Sequence, residues 1–303
     1  MKSLQADSSG QSFKKYLDDA IRRVDRALRK NLPSERLYPV TLHEAMRYSI
    51  FAGGKRMRPV LCLAAAEAFH PDDSIALAPA CAVECVHTYS LIHDDLPCMD
   101  DDDLRRGMPT SHKKFGEGIA VLAGDALLTV AFEILAGMEG TSRYPASVLV
   151  SELAKAAGSR LLIAGQVADL EAAGHQVTSH QLRRIHQGKT AAMISVSLRL
   201  GAMAANAPEE GVSAVGAFGE HLGLAFQVID DILDVTQTSE ILGKSAGKDL
   251  RDEKSTYPAL LGIEASRREA ARLTKLAHRA LDPLGDSAFR LRQIAEYLLE
   301  RTY

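Results

Sequence analysis

Two clusters of carboxylates stand out from the rest of the chain. The first is His93-Asp94-Asp95-Leu96-Pro97-Cys98-Met99-Asp100-Asp101-Asp102-Asp103. The second is Gln227-Val228-Ile229-Asp230-Asp231-Ile232-Leu233-Asp234. An acidic run is most often a solvated helix end or turn. The second cluster resists that reading. Asp230 and Asp234 are four apart on one helix face, where like charges repel. Leu224, Phe226, Val228, Ile229, Ile232 and Leu233 surround them, so the segment is expected to be largely buried. Carboxylates this close together among apolar side chains need a compensating cation. Oxygen ligands at this density suit a hard divalent ion, and Mg²⁺ fits if substrate phosphates fill its other positions.

The first cluster has another geometry. Asp94 and Asp100 are six apart, which on a continuous helix is about 600°, so they would face different ways. Pro97 stands between them and can kink or end the helix. The chain could then fold Asp100 back towards Asp94. Asp101, seven from Asp94, shares its face only if the helix runs on. The sequence leaves both arrangements open.

Basic groups sit beside helix breakers. Arg105-Arg106 follow the first cluster at once, and others lie in Gly53-Gly54-Lys55-Arg56-Met57-Arg58-Pro59, Gln187-Gly188-Lys189-Thr190, Leu242-Gly243-Lys244 and Glu253-Lys254-Ser255-Thr256. Glycine next to Lys or Arg at a helix start can cradle phosphate with backbone N–H groups and a cation. Each is weak alone, and the first lacks the spacing of a P-loop. Together, acidic and basic sites in one nearly neutral chain point to a polyanion held partly through metal and partly directly.

The elements that must position these groups read as helices. Phe13, Leu17, Ile21, Val24 and Leu28 fall at helical spacing. Similar stripes run through 42–51, 78–94, 118–137, 144–157, 209–234, 266–281 and 289–300, and alternating strand patterns and Asn-Gly or Asp-Gly hairpin signals are lacking. The breaks, such as His70-Pro71 and Pro283, are too short for an interdomain linker. The expectation is one all-α domain over 1–303, roughly a dozen helices joined by short connections.

Composition excludes several classes. With 46% apolar residues the 303-residue chain can bury a large core, and a charge of −3 provides no whole-chain basic field for nucleic acid. The N-terminus lacks the apolar core of a signal peptide, and no unbroken apolar run approaches the roughly 18 residues of a membrane span, so stable membrane insertion is not expected. Cys62, Cys81, Cys85 and Cys98 complete no zinc pattern, and reduced thiols in a cytoplasmic protein are expected.

GGKRMRP, HDDLPCMDDDDLRRGMPTSH, LAGDALL, GKT, FQVIDDILD, LGKSAGKD and KSTYPALLG, in this order from Gly53 to Gly262, resemble the signatures of the trans-prenyltransferases, the isoprenyl diphosphate synthases of the polyprenyl synthetase type. The resemblance implies a helical bundle around a central active-site cavity, a homodimer, and Mg²⁺-dependent head-to-tail (1′-4) condensation of isopentenyl diphosphate with dimethylallyl and then geranyl diphosphate. Asp94 and Asp100, with Asp95 close by, would hold two Mg²⁺ ions; Asp230, supported by Asp231 and Asp234, would hold a third; Mn²⁺ could substitute. Arg105, Lys189, Thr190, Gln227, Lys244 and Lys254 match positions that contact the allylic substrate. Lys55, Arg58, His87 and Arg106 match positions that hold the diphosphate of isopentenyl diphosphate. His87, seven before Asp94, lies on the same helix face.

Phosphate charge must be neutralised before diphosphate can leave, which Lewis acids and Lys and Arg donors achieve. The alkene then attacks the allylic cation, and a proton is lost, with released diphosphate as a candidate base. Phe226 and Tyr89 could border the cation. Tyr89 and Ser90 precede Asp94 by five and four residues, where a bulky Tyr89 would floor the allylic pocket. Bacterial-type farnesyl synthases are similar in this aromatic and in the Pro97-Cys98 insertion, which makes farnesyl diphosphate the expected product. The alternatives are a geranyl or geranylgeranyl synthase, a terpene cyclase, which would need no second diphosphate site, and a non-catalytic subunit, which would be expected to lose motif residues. The polar segment Gly243–Lys254 is expected to close over bound diphosphate.

Overall fold

The computed structural model describes residues 2–236 and 255–299. Lys244, Lys254 and the closing segment expected at 243–254 lie outside the described residues. Within these, the structure is almost wholly helical, as the periodicity implied. It divides into two compact units, Met1–Val150 with Met203–Asn206, and Ser151–Ala202 with Ala207–Tyr303.

The first unit contains α1 (Lys2–Asn31), α2 (Val40–Ile50), α3 (Met57–Glu67), α4 (Leu77–Asp94), α5 (Ser111–Phe115) and α6 (Glu117–Ala136). Leu17, Ala20, Val24 and Leu28 form the buried stripe of α1, spaced three and four apart as an amphipathic helix requires. The Ala-rich α3 buries Leu61 to Ala66 without a break, and its small side chains suit packing against α4. α4 also packs on α6. The two approach closely because α6 has Gly124 where any Cβ would run into the His93 ring. His93 Nε2 lies 3.0 Å from the Val121 carbonyl oxygen of α6.

One feature has no sequence counterpart among the expected signals. Leu104–Arg105 (β1) and Met108–Pro109 (β2) pair antiparallel. Arg106 (φ 56°) and Gly107 (φ 77°) make the two-residue turn. A tight hairpin wants positive φ at both turn residues, which Asn-Gly usually supplies; here Arg-Gly does. A non-glycine residue with positive φ carries a conformational cost, and Arg106 is held by contacts described below.

The second unit contains α8 (Leu162–Ala172), α9 (Ser179–His186), a π-helical turn (Gln187–Ala191), α11 (Glu209–Thr236), α12 (Tyr257–Leu261), α13 (Ile263–Ala280) and α14 (Phe289–Leu299). α7 (Ala146–Ala157) and α10 (Ala192–Ala204) contribute residues to both units. α11 packs along α13 and touches α12. Thr178 and Gln181 form a reciprocal capping box that starts α9. Thr256 caps α12, its hydroxyl accepting from the Ala259 N–H.

The reading that no apolar run approaches the length of a membrane span is corrected. Asp73–Asp94, Glu117–Ala136 and Glu209–Thr236 are long and apolar enough by length and composition. Their Ala, Leu and Val outweigh the few scattered charges, which a search for unbroken apolar runs misses. In two of them 67% and 61% of the apolar stretch is buried inside the protein, against 44% for Glu117–Ala136.

Candidate active site

The end of α4 sets the first cluster. After Asp94 the helix stops and the chain turns back on itself. The Asp100 N–H donates to the Asp94 carbonyl at 2.8 Å, and the Asp102 N–H to the Asp95 carbonyl at 3.2 Å. Asp101 takes a left-handed conformation (φ 48°) and is exposed. Of the two arrangements open in the sequence, the fold-back is the one present, and it sets Asp100 against Asp94. Pro97 at the bend, with no N–H to continue the helix, gives the physical reason.

Asp95 is 3% exposed. Its carboxylate accepts from Arg105 Nε at 2.7 and 2.9 Å. Burial pushes the Asp95 pKa up, with the Arg105 bonds opposing. Burial works against the Arg105 charge, but the bonds to Asp95 outweigh it and its pKa rises. Asp95 therefore spends both oxygens on Arg105, and the β1–β2 hairpin is what carries Arg105 there.

The next residue, Arg106, belongs to a second group. It donates to the Gly53 carbonyl and lies so close over Gly54 that a Cβ there would strike its guanidinium. Arg58 Nη1 is 3.2 Å from His87 Nε2. Burial, followed by Arg58 and Arg106, holds the His87 pKa well below its ordinary value, so the ring is neutral. Burial and Arg106 likewise lower Arg58, against the pull of Glu84. Arg58 Nε is buried without a hydrogen-bond partner. Lys55 is exposed on the same turn. Arg58, His87 and Arg106 thus form a donor-rich group whose cations repel one another, which suits a multivalent anion such as diphosphate.

In the second unit the π-helical turn carries Lys189 and Thr190. A single π turn inside a helix frequently marks a functional site. Lys189 Nζ donates to Asp169 Oδ2 of α8 at 2.7 Å. Thr190 Oγ1 donates to Gln227 Oε1 of α11 at 2.6 Å. The turn can lie against α8 because both sides lack a side chain: a Cβ on Gly165 would fall 2.8 Å from the Gly188 carbonyl carbon. On α11, Phe226 and Asp230 are half-buried, while Asp231 and Asp234 are 8% and 6% exposed. Asp231 Oδ2 accepts the Tyr257 N–H at 2.9 Å. That carboxylate anchors the start of α12.

Tyr89 is 6% exposed, and its ring meets His93 edge-on at 5.6 Å between centroids. Ser90 Oγ donates to the His87 carbonyl at 2.9 Å. Three of the four cysteines are buried and all are free; Cys98 is exposed at the bend.

Among the described residues, no three or more His, Cys, Asp or Glu side chains form a group that could hold a metal unaided. The carboxylates expected to hold metal include Asp94 and Asp100, whose backbones are hydrogen-bonded, and Asp230 and Asp234, four apart on α11. Asp95 and Asp231, counted with them from the sequence, are engaged by Arg105 and by Tyr257.

Sequence reasoning missed Asp169, the partner of Lys189, and the buried Arg56 and Glu84 with the half-buried Asp25 described below. Gly165 and Asp169, four apart on one helix face, were the available signal for the first.

The chain matches the Polyprenyl synthetase family over residues 39–286. It is 49% identical over 301 residues to the chloroplastic geranylgeranyl pyrophosphate synthase of Catharanthus roseus, covering 98% of this chain and 83% of the relative. It is 51% identical over 269 residues to geranylgeranyl pyrophosphate synthase 7, chloroplastic, of Arabidopsis thaliana, covering 87% of this chain and 77% of the relative. Among solved structures, the FPP/GFPP synthase of Zymomonas mobilis is 37% identical, with a TM-score of 0.84 and coverage of 95% and 99%. The expectation of a cytoplasmic protein is overturned by the chloroplastic setting named for both plant relatives.

Proposed function

We propose the reaction from one premise: the chain belongs to the polyprenyl synthetase family. It is a prenyl diphosphate synthase, acting on prenyl diphosphates, and the proposed reaction is Mg²⁺-dependent head-to-tail condensation with isopentenyl diphosphate. One observation carries this reading. Adjacent residues of one hairpin diverge: Arg105 binds Asp95, while Arg106 binds the Gly53 carbonyl of the turn that leads to Arg58, itself 3.2 Å from His87. Two substrates that each bear a diphosphate require two separate polar groups, whereas a cyclase requires one.

In the proposed mechanism the residues that family resemblance assigns to the allylic diphosphate are Asp94, Asp100 and Arg105 and, from the rest of the chain, Lys189, Thr190, Gln227, Asp230, Lys244 and Lys254. Bound Mg²⁺ would supply Lewis-acid neutralisation of the diphosphate charge. Arg105 and Lys189 donate to the phosphate oxygens as the C–O bond breaks and the electron pair leaves with diphosphate. Lys55, Arg58, His87 and Arg106 hold isopentenyl diphosphate so that its alkene meets the allylic carbon, and proximity supplies much of the rate. The new C–C bond leaves a cation that loses a proton, with released diphosphate as the acceptor. A homodimer is part of the proposal on family resemblance, and a plastid setting on the names of the relatives.

The proposed product is geranylgeranyl diphosphate, supported by relatives near half identity over most of the chain. A second reading, farnesyl diphosphate, is favoured by one observation, the buried Tyr89 against His93. Incubation with isopentenyl and dimethylallyl diphosphates and Mg²⁺, followed by chromatographic sizing, decides between them. A C20 product is expected. Accumulation at C15, relieved by Tyr89→Ala, would return the farnesyl reading. No condensation with any allylic partner would sink both.

A further inference from the structure

Arg56 lies between Lys55 and Arg58 but turns the other way. It is 4% exposed and adopts a left-handed backbone (φ 49°, ψ 32°) as the residue that caps α3. A non-glycine residue holds that conformation only where its surroundings over-determine it. The surroundings here are three hydrogen bonds to three different helices. Nε donates to Asp25 Oδ1 of α1 at 2.9 Å, Nη1 to Glu84 Oε1 of α4 at 2.7 Å, and Nη2 to the Ile50 carbonyl at the end of α2 at 2.5 Å.

Glu84 is 2% exposed and lies one helical turn before His87. Burial works against the Arg56 charge, and Glu84 and Asp25 outweigh it. Burial lowers the pKa of Arg58 and of Arg106, and the same carboxylate opposes it in both. Glu84 thus faces the donor group, with Arg56 as its link to the turn at Gly53-Gly54. Lys55 precedes the link by one residue and Arg58 follows by two, so the direction of both depends on the Arg56 backbone.

We propose that Arg56 is a positioning residue for the isopentenyl diphosphate pocket, locking the Gly53–Arg58 turn to α1, α2 and α4 so that Lys55 and Arg58 are aimed before substrate arrives. This rests on the functional reading above. Arg56 itself faces away from the substrate, and its effect reaches the reaction only through its neighbours.

The test is calorimetric titration of isopentenyl diphosphate alone, which cannot turn over without an allylic partner, together with steady-state kinetics. Arg56→Gly keeps a backbone suited to positive φ and removes the guanidinium; Arg56→Lys restores one donor. Misdirected donors are expected to weaken isopentenyl diphosphate binding about tenfold in Arg56→Gly, with partial recovery in Arg56→Lys. KM for isopentenyl diphosphate should rise in step while KM for the allylic substrate stays within about twofold. Wild-type affinity in Arg56→Gly would overturn the proposal, because the backbone alone would then suffice. Equal loss for both substrates would also overturn it, as general loosening. If Arg56→Gly fails to fold, Asp25→Ala removes one bond at a part-exposed site, with about a threefold loss expected and no loss overturning the idea. Wild-type protein that bound no isopentenyl diphosphate would refute the functional reading instead.

Discussion

The carboxylates of 94–100 and those of 230–234 are held by different means. The backbones of Asp94 and Asp100 meet because a helix ends, the chain reverses, and a backbone hydrogen bond at 2.8 Å closes the loop. Asp230 and Asp234 share one face because a helix continues, each turn repeating the last. The first arrangement depends on one proline and a fold-back, the second on helical periodicity alone. Neutralisation differs as well. In the first, the buried Asp95 is matched by an arginine from a hairpin. In the second, Asp231 takes a backbone N–H, and the nearby lysine is matched on another helix. A carboxylate cluster can thus be assembled by stopping a helix or by running one.

Substitutions at the fold-back should break this comparison most sharply. Asp100→Ala is expected to lower kcat by about a thousandfold, the order of removing a key electrostatic contact to developing charge. Asp101→Ala, at the exposed left-handed position, should leave it within about twofold. The reverse ranking would mean that the helix runs on in the working enzyme. Asp230→Ala should cost about a hundredfold, with circular dichroism unchanged.

Acidification should sharpen the contrast between the units. Burial lowers the His186 pKa to about 4, with Asp169 pulling the other way. The folded state therefore refuses a proton that the unfolded chain accepts below about 6.5. Stability is complete above that value, declines as pH falls towards 4, and levels off beneath it. The loss from this ring is at most about 3 kcal/mol. Denaturant melts at pH 7 and pH 4.5 should show a smaller difference in His186→Phe than in wild type. An unchanged difference would remove His186 as a source.

A smaller effect is expected where α8 meets the π turn. Gly165→Ala places a methyl against backbone, so overpacking should cost about 2 kcal/mol. KM for the allylic substrate should rise more than that for isopentenyl diphosphate, since Lys189 and Thr190 sit on the displaced turn. Equal shifts in both would argue that Gly165 serves stability alone.

Much of this was legible beforehand. The stripes at 78–94, 118–137, 209–234 and 266–281 correspond to α4, α6, α11 and α13 within a few residues, because apolar spacing reports directly on a helix that buries one face. The candidate carboxylates and most of the basic residues were legible because charge among apolar residues is locally costly. Three kinds of feature were not. The bend at Pro97 competes with a helix that could equally well have run on. The hairpin turn uses Arg-Gly, outside the usual signals. Partners such as Asp25 and Arg56, or Asp169 and Lys189, are far apart in sequence, and no local pattern records which distant groups will meet. The farnesyl product was read from Tyr89 and the Pro97-Cys98 insertion, too narrow a base against the names of the relatives.

The hairpin of 104–109 also acts as a gauge. Its two arginines are consecutive, so their Cα atoms stand about 3.8 Å apart, a length fixed by one trans peptide unit. Each is committed to a different polar group. The backbone origin of the two proposed phosphate anchors is therefore fixed by covalent geometry, and the partner each side chain binds sets where its guanidinium ends. An inserted residue between Arg105 and Arg106 would reset that scale at one stroke, leaving both anchors intact and their spacing wrong.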